Sequence, residues 1–221
     1  MESYYSIIIP IFNEEVHIPN LLKYIEKYKD NGHEIIIIDD GSTDESFKIL
    51  SNCNFIKLIR FNNNFGKGRA LRTGIANAKF EKLVIYDGDL ELHPNQIKEL
   101  MILDKNQKIN CVLASRGANI SPLNSLWDLG NFLITKLFNV KNTTNLEDAL
   151  CCAKSFYKSD INVDNLKSLK FDIDVEISSM LIKKFKNIQR TNLNYHRRSL
   201  KDGKKLNFLD SIAIIKRILC S

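Results

Sequence analysis

The sequence predicts an α/β protein built on a doubly wound, mostly parallel sheet flanked by helices, with a basic loop and an amphipathic helix near its carboxyl end. Three observations lead there. The runs Ser6-Ile7-Ile8-Ile9-Pro10-Ile11 and Glu34-Ile35-Ile36-Ile37-Ile38 are short, β-branched and apolar on both faces, as strands buried in a parallel sheet are. Segments of helical period alternate with such runs over the first hundred residues, and right-handed strand-helix-strand units wind into an open sheet. Each of the first four strands runs out into polar or turn-forming residues, which a parallel sheet gathers at one edge, where α/β proteins hold ligands.

Taken in order, the first strand is followed by Ile18, Leu21, Leu22, Ile25 and Tyr28 at helical spacing, then by the second strand. Ser42 to Leu50 reads as a helix with Ser42 as its N-cap, and Asp44 is placed to favour its dipole. Phe55 to Ile59 is the third strand, Gly68 to Ala78 the third helix and Leu83 to Tyr86 the fourth strand. A helix from Asn95 to Leu103 and a strand from Ile109 to Ser115 continue the series. Beyond Gly117 the rhythm changes to a helix from Leu123 to Asn139, an apolar stretch over Ala149-Leu150-Cys151-Cys152-Ala153, a helix from Asp174 to Lys186 and a strand from Ile188 to Tyr195. Residues 197–205 show no apolar periodicity and read as a loop. Leu206, Leu209, Ile212, Ala213, Ile215 and Leu219 then mark the amphipathic helix, with Lys216-Arg217 near its end.

A chain of 221 residues, 44% hydrophobic and 26% charged, holds enough material for one sizeable core, and no low-complexity linker divides it. Its formal charge of +6 is lopsided: eleven Lys and Arg against two Asp fall from Lys183 onward, which leaves the first 182 residues at net −3. A basic tail fits an anionic partner such as a diphosphate, an anionic lipid surface or nucleic acid, or is a solvated helix face. Cys53, Cys111, Cys151, Cys152 and Cys220 are odd in number and lack C-x-x-C spacing, which predicts reduced thiols in a cytoplasmic protein. The start, Met1-Glu2-Ser3-Tyr4-Tyr5, has no basic n-region, and no apolar run approaches the roughly 18 residues of a spanning helix. Membrane contact is therefore expected to be peripheral, on the cytoplasmic face, or through a membrane-protein partner.

The chemistry centres on Tyr86-Asp87-Gly88-Asp89-Leu90, where a buried strand ends in two acids one residue apart. Pro10-Ile11-Phe12-Asn13-Glu14 after strand one and Asp39-Asp40-Gly41-Ser42-Thr43-Asp44 after strand two converge on the same edge. So many carboxylates repel one another unless a cation or a donor-rich ligand joins them, which points to a hard metal ion with phosphate. Gly66-Lys67-Gly68-Arg69 suits a tight turn into a helix whose start receives an anion, although the G-x-x-x-x-G-K-[ST] spacing of a P-loop is missing.

In this order, Pro10-x-x-Asn13-Glu14, Asp39 to Asp44, Gly66-Lys67-Gly68, Asp87-Gly88-Asp89 and the stretch from Tyr195 to Leu206 resemble glycosyltransferase family 2, and within it the dolichyl-phosphate mannose synthase-like branch. The resemblance covers nearly the whole chain. It implies a single GT-A-type domain over residues 1–221, with 1–116 as the nucleotide-sugar-binding half and 117–221 as the acceptor-side half. It also implies a donor diphosphate held through Mg2+ or Mn2+. By position, Pro10, Phe12 and Glu14 would line the nucleoside pocket, and Ile38 and Asp40 would hold the base and ribose. Asp87, Gly88 and Asp89 would meet the diphosphate, with Asp89 the more direct metal ligand. Glu91 stands as a further ligand or as an exposed acid. Arg116 matches an arginine used near the phosphates, and Arg198 with Gly203-Lys204-Lys205-Leu206 resembles a basic loop over donor and acceptor. Asp148, in Glu147-Asp148-Ala149-Leu150-Cys151-Cys152-Ala153-Lys154, falls in the family's acidic acceptor-side stretch.

The implied reaction is one-step inversion at an anomeric carbon, with Asp148, Arg198 and Lys205 in catalytic roles. The donor would be a UDP- or GDP-sugar and the acceptor a polyprenyl phosphate or a lipid-linked or surface glycan, with no nucleic-acid partner. An alcohol acceptor requires a general base, whereas a lipid phosphate is already ionised. Asp148 is read either as an acceptor-side carboxylate or as a hydrogen-bond partner of a loop backbone. Glu176 and Asp174 are read as site residues or as helix-capping and salt-bridge groups, Trp127 as a sugar platform or as core, and His196 as a phosphate contact or as a bystander. Two other functions compete. A sugar nucleotidyltransferase usually opens with a glycine-rich loop where this chain has Pro10 to Glu14, and a catalytically silent nucleotide-binding module would use the same edge without turnover.

Overall fold

The computed structural model describes residues 4–117, 125–198 and 208–220. Isoleucine at four of the seven positions of β1 (Tyr5–Ile11) and four of the six of β2 (Glu34–Asp39) leaves neither strand a face for water, and both lie inside the sheet. With β3 (Lys57–Arg60), β4 (Lys82–Ile85), β5 (Cys111–Ser115), β6 (Lys154–Tyr157) and β7 (Gln189–Asn192) they form one seven-stranded sheet in the order β3-β2-β1-β4-β6-β5-β7. Strands β1 to β4 are mutually parallel, as is the pair β5 and β7.

Side-chain alternation splits the core into two layers. Ile7, Ile9, Ile11, Ile35 and Ile37 pack on one face with Ile18, Leu21 and Ile25 of α1 (Ile18–Asp30), Leu50 of α2 (Ser46–Ser51) and the 3-10 helix Pro94–Leu100. Ile8, Ile36 and Ile38 pack on the other under α3 (Lys67–Asn77), α4 (Leu126–Asn142), α5 (Ile173–Lys184) and α6 (Phe208–Cys220). Ser125 caps α4 by accepting the Asp128 N–H at 3.1 Å. Among the described residues no helix is long and apolar enough to cross a membrane.

The second half departs from a simple continuation of the parallel series. β6 lies between β4 and β5 and runs antiparallel to both. Lys154 at its start hides the strand from a hydropathy reading, yet it is fully buried, with Nζ donating to the Asp174 carbonyl at 3.0 Å. The apolar stretch Ala149–Ala153 is the buried approach to this strand. The segment read as a helix from Asn95 to Leu103 is the shorter 3-10 turn, opened by Pro94. Ser42 caps no helix: α2 begins at Ser46, whose N–H is taken by Asp44 at 2.9 Å, and the Ser42 hydroxyl accepts from Asn13 instead.

α3 crosses the sheet at Gly74, where a Cβ would meet the Ile8 Cγ2 at 2.4 Å and the Ile38 Cδ1 at 2.8 Å. Gly74→Val is therefore expected to lower stability by about 1–3 kcal/mol through overpacking, read as a lower urea midpoint with an unchanged m-value.

Candidate active site

Parallel pairing brings three strand ends to one edge. Ile11 stands opposite Asp39 and Ile85 opposite Ile8, and the chain continues the ladder as Asp40 N–H donates to Ile11 O at 2.8 Å and Tyr86 N–H to Ile8 O at 3.1 Å. The loops after β1 and β2 are then stitched together. Asn13, at φ 49°, donates to Ser42 Oγ at 2.9 Å and accepts from Thr43 N–H at 2.8 Å, while Glu14 N–H reaches Ser46 Oγ at 2.8 Å. Ser42 N–H in turn bonds the buried Asp39 carboxylate at 2.9 Å. After β4, Leu90 sits at φ 61°, a left-handed conformation unfavourable for leucine, and turns the chain so that Glu91 N–H caps Asp89 at 3.0 Å. These segments line a cleft of about 480 Å3, closed on the far side by Trp127 and Asn131 of α4, Phe171, Tyr195, and Asp210 and Ile214 of α6.

The acids of this cleft are held by cations that come from distant parts of the chain. Lys67, at the start of α3, lies 2.8 Å from Asp87 and 2.9 Å from Asp174, and Lys154 reaches the other Asp174 oxygen at 3.4 Å. Burial opposes the charge of Lys67, but Asp174 and Asp87 outweigh it and hold the ammonium well above the lysine range. Arg198 spreads over three carboxylates: Glu14 at 2.9 Å, Asp89 at 3.0 Å and, through Nε, Glu91 at 3.8 Å. Arg116 grips Asp148 with two parallel bonds of 2.6 and 2.9 Å. Burial disfavours both charges of that pair, yet their mutual attraction holds Arg116 above the arginine range and Asp148 below the carboxylate range.

Residues 6–163 match the sequence family Glycosyl transferase family 2. The chain belongs to that family. Among its relatives, an undecaprenyl-phosphate 4-deoxy-4-formamido-L-arabinose transferase of Pseudomonas savastanoi pv. phaseolicola is 35% identical over 107 residues, which cover 44% of this chain and 32% of the relative. A dolichyl-phosphate beta-glucosyltransferase of Dictyostelium discoideum is 28% identical over 98% of this chain and 73% of its own length. The match to the first relative thus spans about a third of that protein. Among solved structures, glucosyl-3-phosphoglycerate synthase of Mycobacterium tuberculosis, in complex with Mn2+, UDP and phosphoglyceric acid, superposes with a TM-score of 0.71 at 19% identity, over 99% of this chain and 78% of that one. That likeness establishes the GT-A-type fold.

Within this family member the sequence-predicted residues separate into three groups. Pro10, Phe12, Glu14, Asp40, Asp87, Gly88, Asp89, Glu91, Arg116 and Arg198 all line the cleft. Ile38 does not: its side chain is fully buried in the core beneath α3, because strand alternation turns it away from the edge. Asp148 stands behind Arg116 instead of facing the cleft; beyond the bonds to Arg116 its oxygens also receive the Leu150 N–H at 3.1 Å, so both are spent on structure. Lys205 lies outside the described residues. Asp40 spends both oxygens on the N–H groups of Phe65 and Gly66, each at 2.8 Å, and so shapes the pocket wall; burial pushes its carboxyl up against those bonds.

The start of α3 does not present an anion site, because the Gly68 and Arg69 N–H groups donate to Leu169 O at 2.9 and 3.3 Å, and a Cβ at Gly68 would meet the Ser168 carbonyl at 2.4 Å. Glu176 is structural, accepting from Lys167 and Ser168 and pairing with Arg217 at 3.4 Å. His196 is exposed and contributes its N–H to Glu91 O at 2.8 Å. Trp127 is partly exposed on the cleft wall and is not core. Asn131, Lys170 and Phe171 are cleft residues without a sequence signal that assigns them such a place, whereas Lys67 and Tyr195 belong to segments that the sequence singles out.

Among the described residues no three acidic, histidine or cysteine side chains converge into a closed cage for an ion. Hard divalent ions commonly take one or two carboxylates and complete their shell with substrate phosphates. Asp89, with Asp87 and Glu91 beside it, offers oxygen donors of that kind. Its carboxyl is pushed up to about 7, by burial first and then by Asp87 and Glu91, with Arg198 opposing. A buried cleft carboxylate with two further acids beside it fits a divalent cation.

The Arg116 and Asp148 pair gives a stability test. Asp148→Asn strands a buried guanidinium and is expected to cost about 3–5 kcal/mol by chemical denaturation. Because the folded-state carboxyl lies below its unfolded value, its contribution is complete above the ordinary carboxylate range and fades as pH falls through the depressed value. The stability of the wild type should therefore drop more steeply on acidification below about pH 4 than that of the variant.

Proposed function

We propose that this protein is an inverting glycosyltransferase that moves a sugar from a nucleoside diphosphate donor to a polyprenyl phosphate, with Mg2+ or Mn2+ held at Asp89 and supported by Asp87 and Glu91. One observation carries this reading: hard oxygen donors and the guanidinium groups of Arg116 and Arg198 line a single cleft at the carboxyl edge of the parallel strands. A bound divalent ion supplies positive charge for the departing diphosphate. Arg116 and Arg198 add fixed positive charge in a partly dry site, where it stabilises the negative charge that builds on the leaving oxygen. Pro10 and Phe12 present apolar surface for the nucleoside, and Asp40 fixes the Phe65-Gly66 wall beside them.

The state of the cleft acids favours a phosphate over an alcohol as acceptor. Asp87 and Asp174 are bound by Lys67, Glu14, Asp89 and Glu91 by Arg198, and Asp40 by two N–H groups, while Asp210 likewise has a partner. With Asp89 given to the metal, none of the others stands ready as a general base, and an acceptor phosphate, ionised at neutral pH, needs none. The polyprenyl-phosphate chemistry in the names of the Pseudomonas and Dictyostelium relatives agrees with this choice. Family membership weighs against a nucleotidyltransferase.

Purified protein given a panel of UDP- and GDP-sugars, Mn2+ and a polyprenyl phosphate should yield a glycosyl lipid phosphate by mass spectrometry, and chelation should stop the reaction. Asp89→Ala should lower turnover by about a thousandfold or more and remove the Mn2+-dependent thermal stabilisation by nucleotide. Full turnover in that variant would refute the metal role, and a wild type stabilised by no nucleotide would favour a silent module.

A further inference from the structure

Helices α4 and α6 each carry two apolar faces. On α4, Ile134 and Phe138 are buried against the sheet, whereas Leu126, Leu129, Leu133 and Val140 recur at helical spacing on the outward side, 86%, 40%, 57% and 81% exposed, with Phe132 beside them. A surface helix ordinarily turns polar residues outward, and a contiguous exposed apolar face marks an interaction surface. On α6 the pattern repeats: Ile214 and Ile218 are buried while Ile212, Ile215 and Leu219 face outward. The two helices pack against each other, so the faces are neighbours on one side of the molecule.

The charges on this surface choose its partner. The only acids on the two helices, Asp128 and Asp210, are buried, and Asp128 is further tied to Arg197. The exposed charges are Lys136, Lys141 and Lys216. Leucines flanked by lysines, with no exposed acid, match the boundary of an anionic bilayer, where apolar side chains enter the acyl region and ammonium groups meet the headgroups. A second copy would instead bring lysines against lysines. The inner sides of the same helices wall the cleft, through Trp127 and Asn131 of α4 and Asp210 and Ile214 of α6.

We propose that the outer faces of α4 and α6 dock this protein on an anionic lipid surface, so that a lipid-borne phosphate enters the cleft along the helix pair. The docking rests on the exposed faces alone; only the delivery of acceptor rests on the function proposed above.

The test is co-sedimentation of the full chain with phosphatidylcholine vesicles, with and without phosphatidylglycerol. Wild type should pellet with the anionic vesicles and be released by salt. Replacing Leu129 and Leu133 together by Glu should reduce the bound fraction about tenfold. Replacing Lys136 and Lys216 together by Glu should weaken binding to the anionic vesicles only. All four side chains are exposed, and unchanged thermal melting of each variant verifies folding. Equal sedimentation of wild type and the leucine variant, or no binding by wild type, would overturn the proposal, as would a wild-type dimer in ultracentrifugation that the leucine variant abolishes. Failed docking with intact Mn2+-dependent nucleotide stabilisation would sink this inference alone, and intact docking without nucleotide binding would sink only the proposed function.

Discussion

Seven carboxylates, those of Glu14, Asp40, Asp87, Asp89, Glu91, Asp174 and Asp210, meet in one cleft, and like charges at such density require cations to be folded in with them. That requirement organises much of the molecule. Lys67 reaches from the start of α3 to the end of β4 and to α5, which fixes three elements at a single ammonium. Lys154 approaches the same Asp174 from β6, so a strand that enters the sheet late is tied to the acid network on arrival. Arg198 binds the segment after β7 to acids that follow β1 and β4.

The same network explains why the site is polar without being loose. Breaking one partner of a buried pair leaves an uncompensated charge, so each cation restricts the acids to one arrangement. The exception is Asp89, where neighbouring acids and burial outweigh Arg198. The backbone contributes as well, since Leu90 adopts a conformation that leucine avoids, between Asp89 and Glu91.

What the sequence reveals follows from how local each signal is. The strand ends at Pro10 to Glu14, Asp39 to Asp44 and Asp87 to Glu91 need only an apolar run and the residues that follow it, and parallel pairing does the rest. The roles of the cations are hidden because their partners are remote: Lys67 and Asp174 are 107 residues apart, and Arg198 and Glu14 are 184 apart. Asp148 reads as a free acid only until Arg116, 32 residues earlier, is found against it. Ile38 belongs to the right strand end, but strand alternation sends its side chain into the core. β6 escapes notice because a buried lysine opens it, and a lysine looks like surface until Asp174 stands beside it.

The late insertion of β6 also bears on how the chain is made. β4 and β5 never touch as partners; residues 154–157 must come between them. During synthesis, β1 to β4 can pair as they emerge, yet one edge of β4 stays bare until some seventy further residues have followed. An open strand edge is a template for other chains. A polypeptide cut short after Ser115 would keep the acids at the ends of β1, β2 and β4 but lack the strand that seals β4 and the Asp174 that shares Lys67. The two halves of the cleft are thus halves of one sheet.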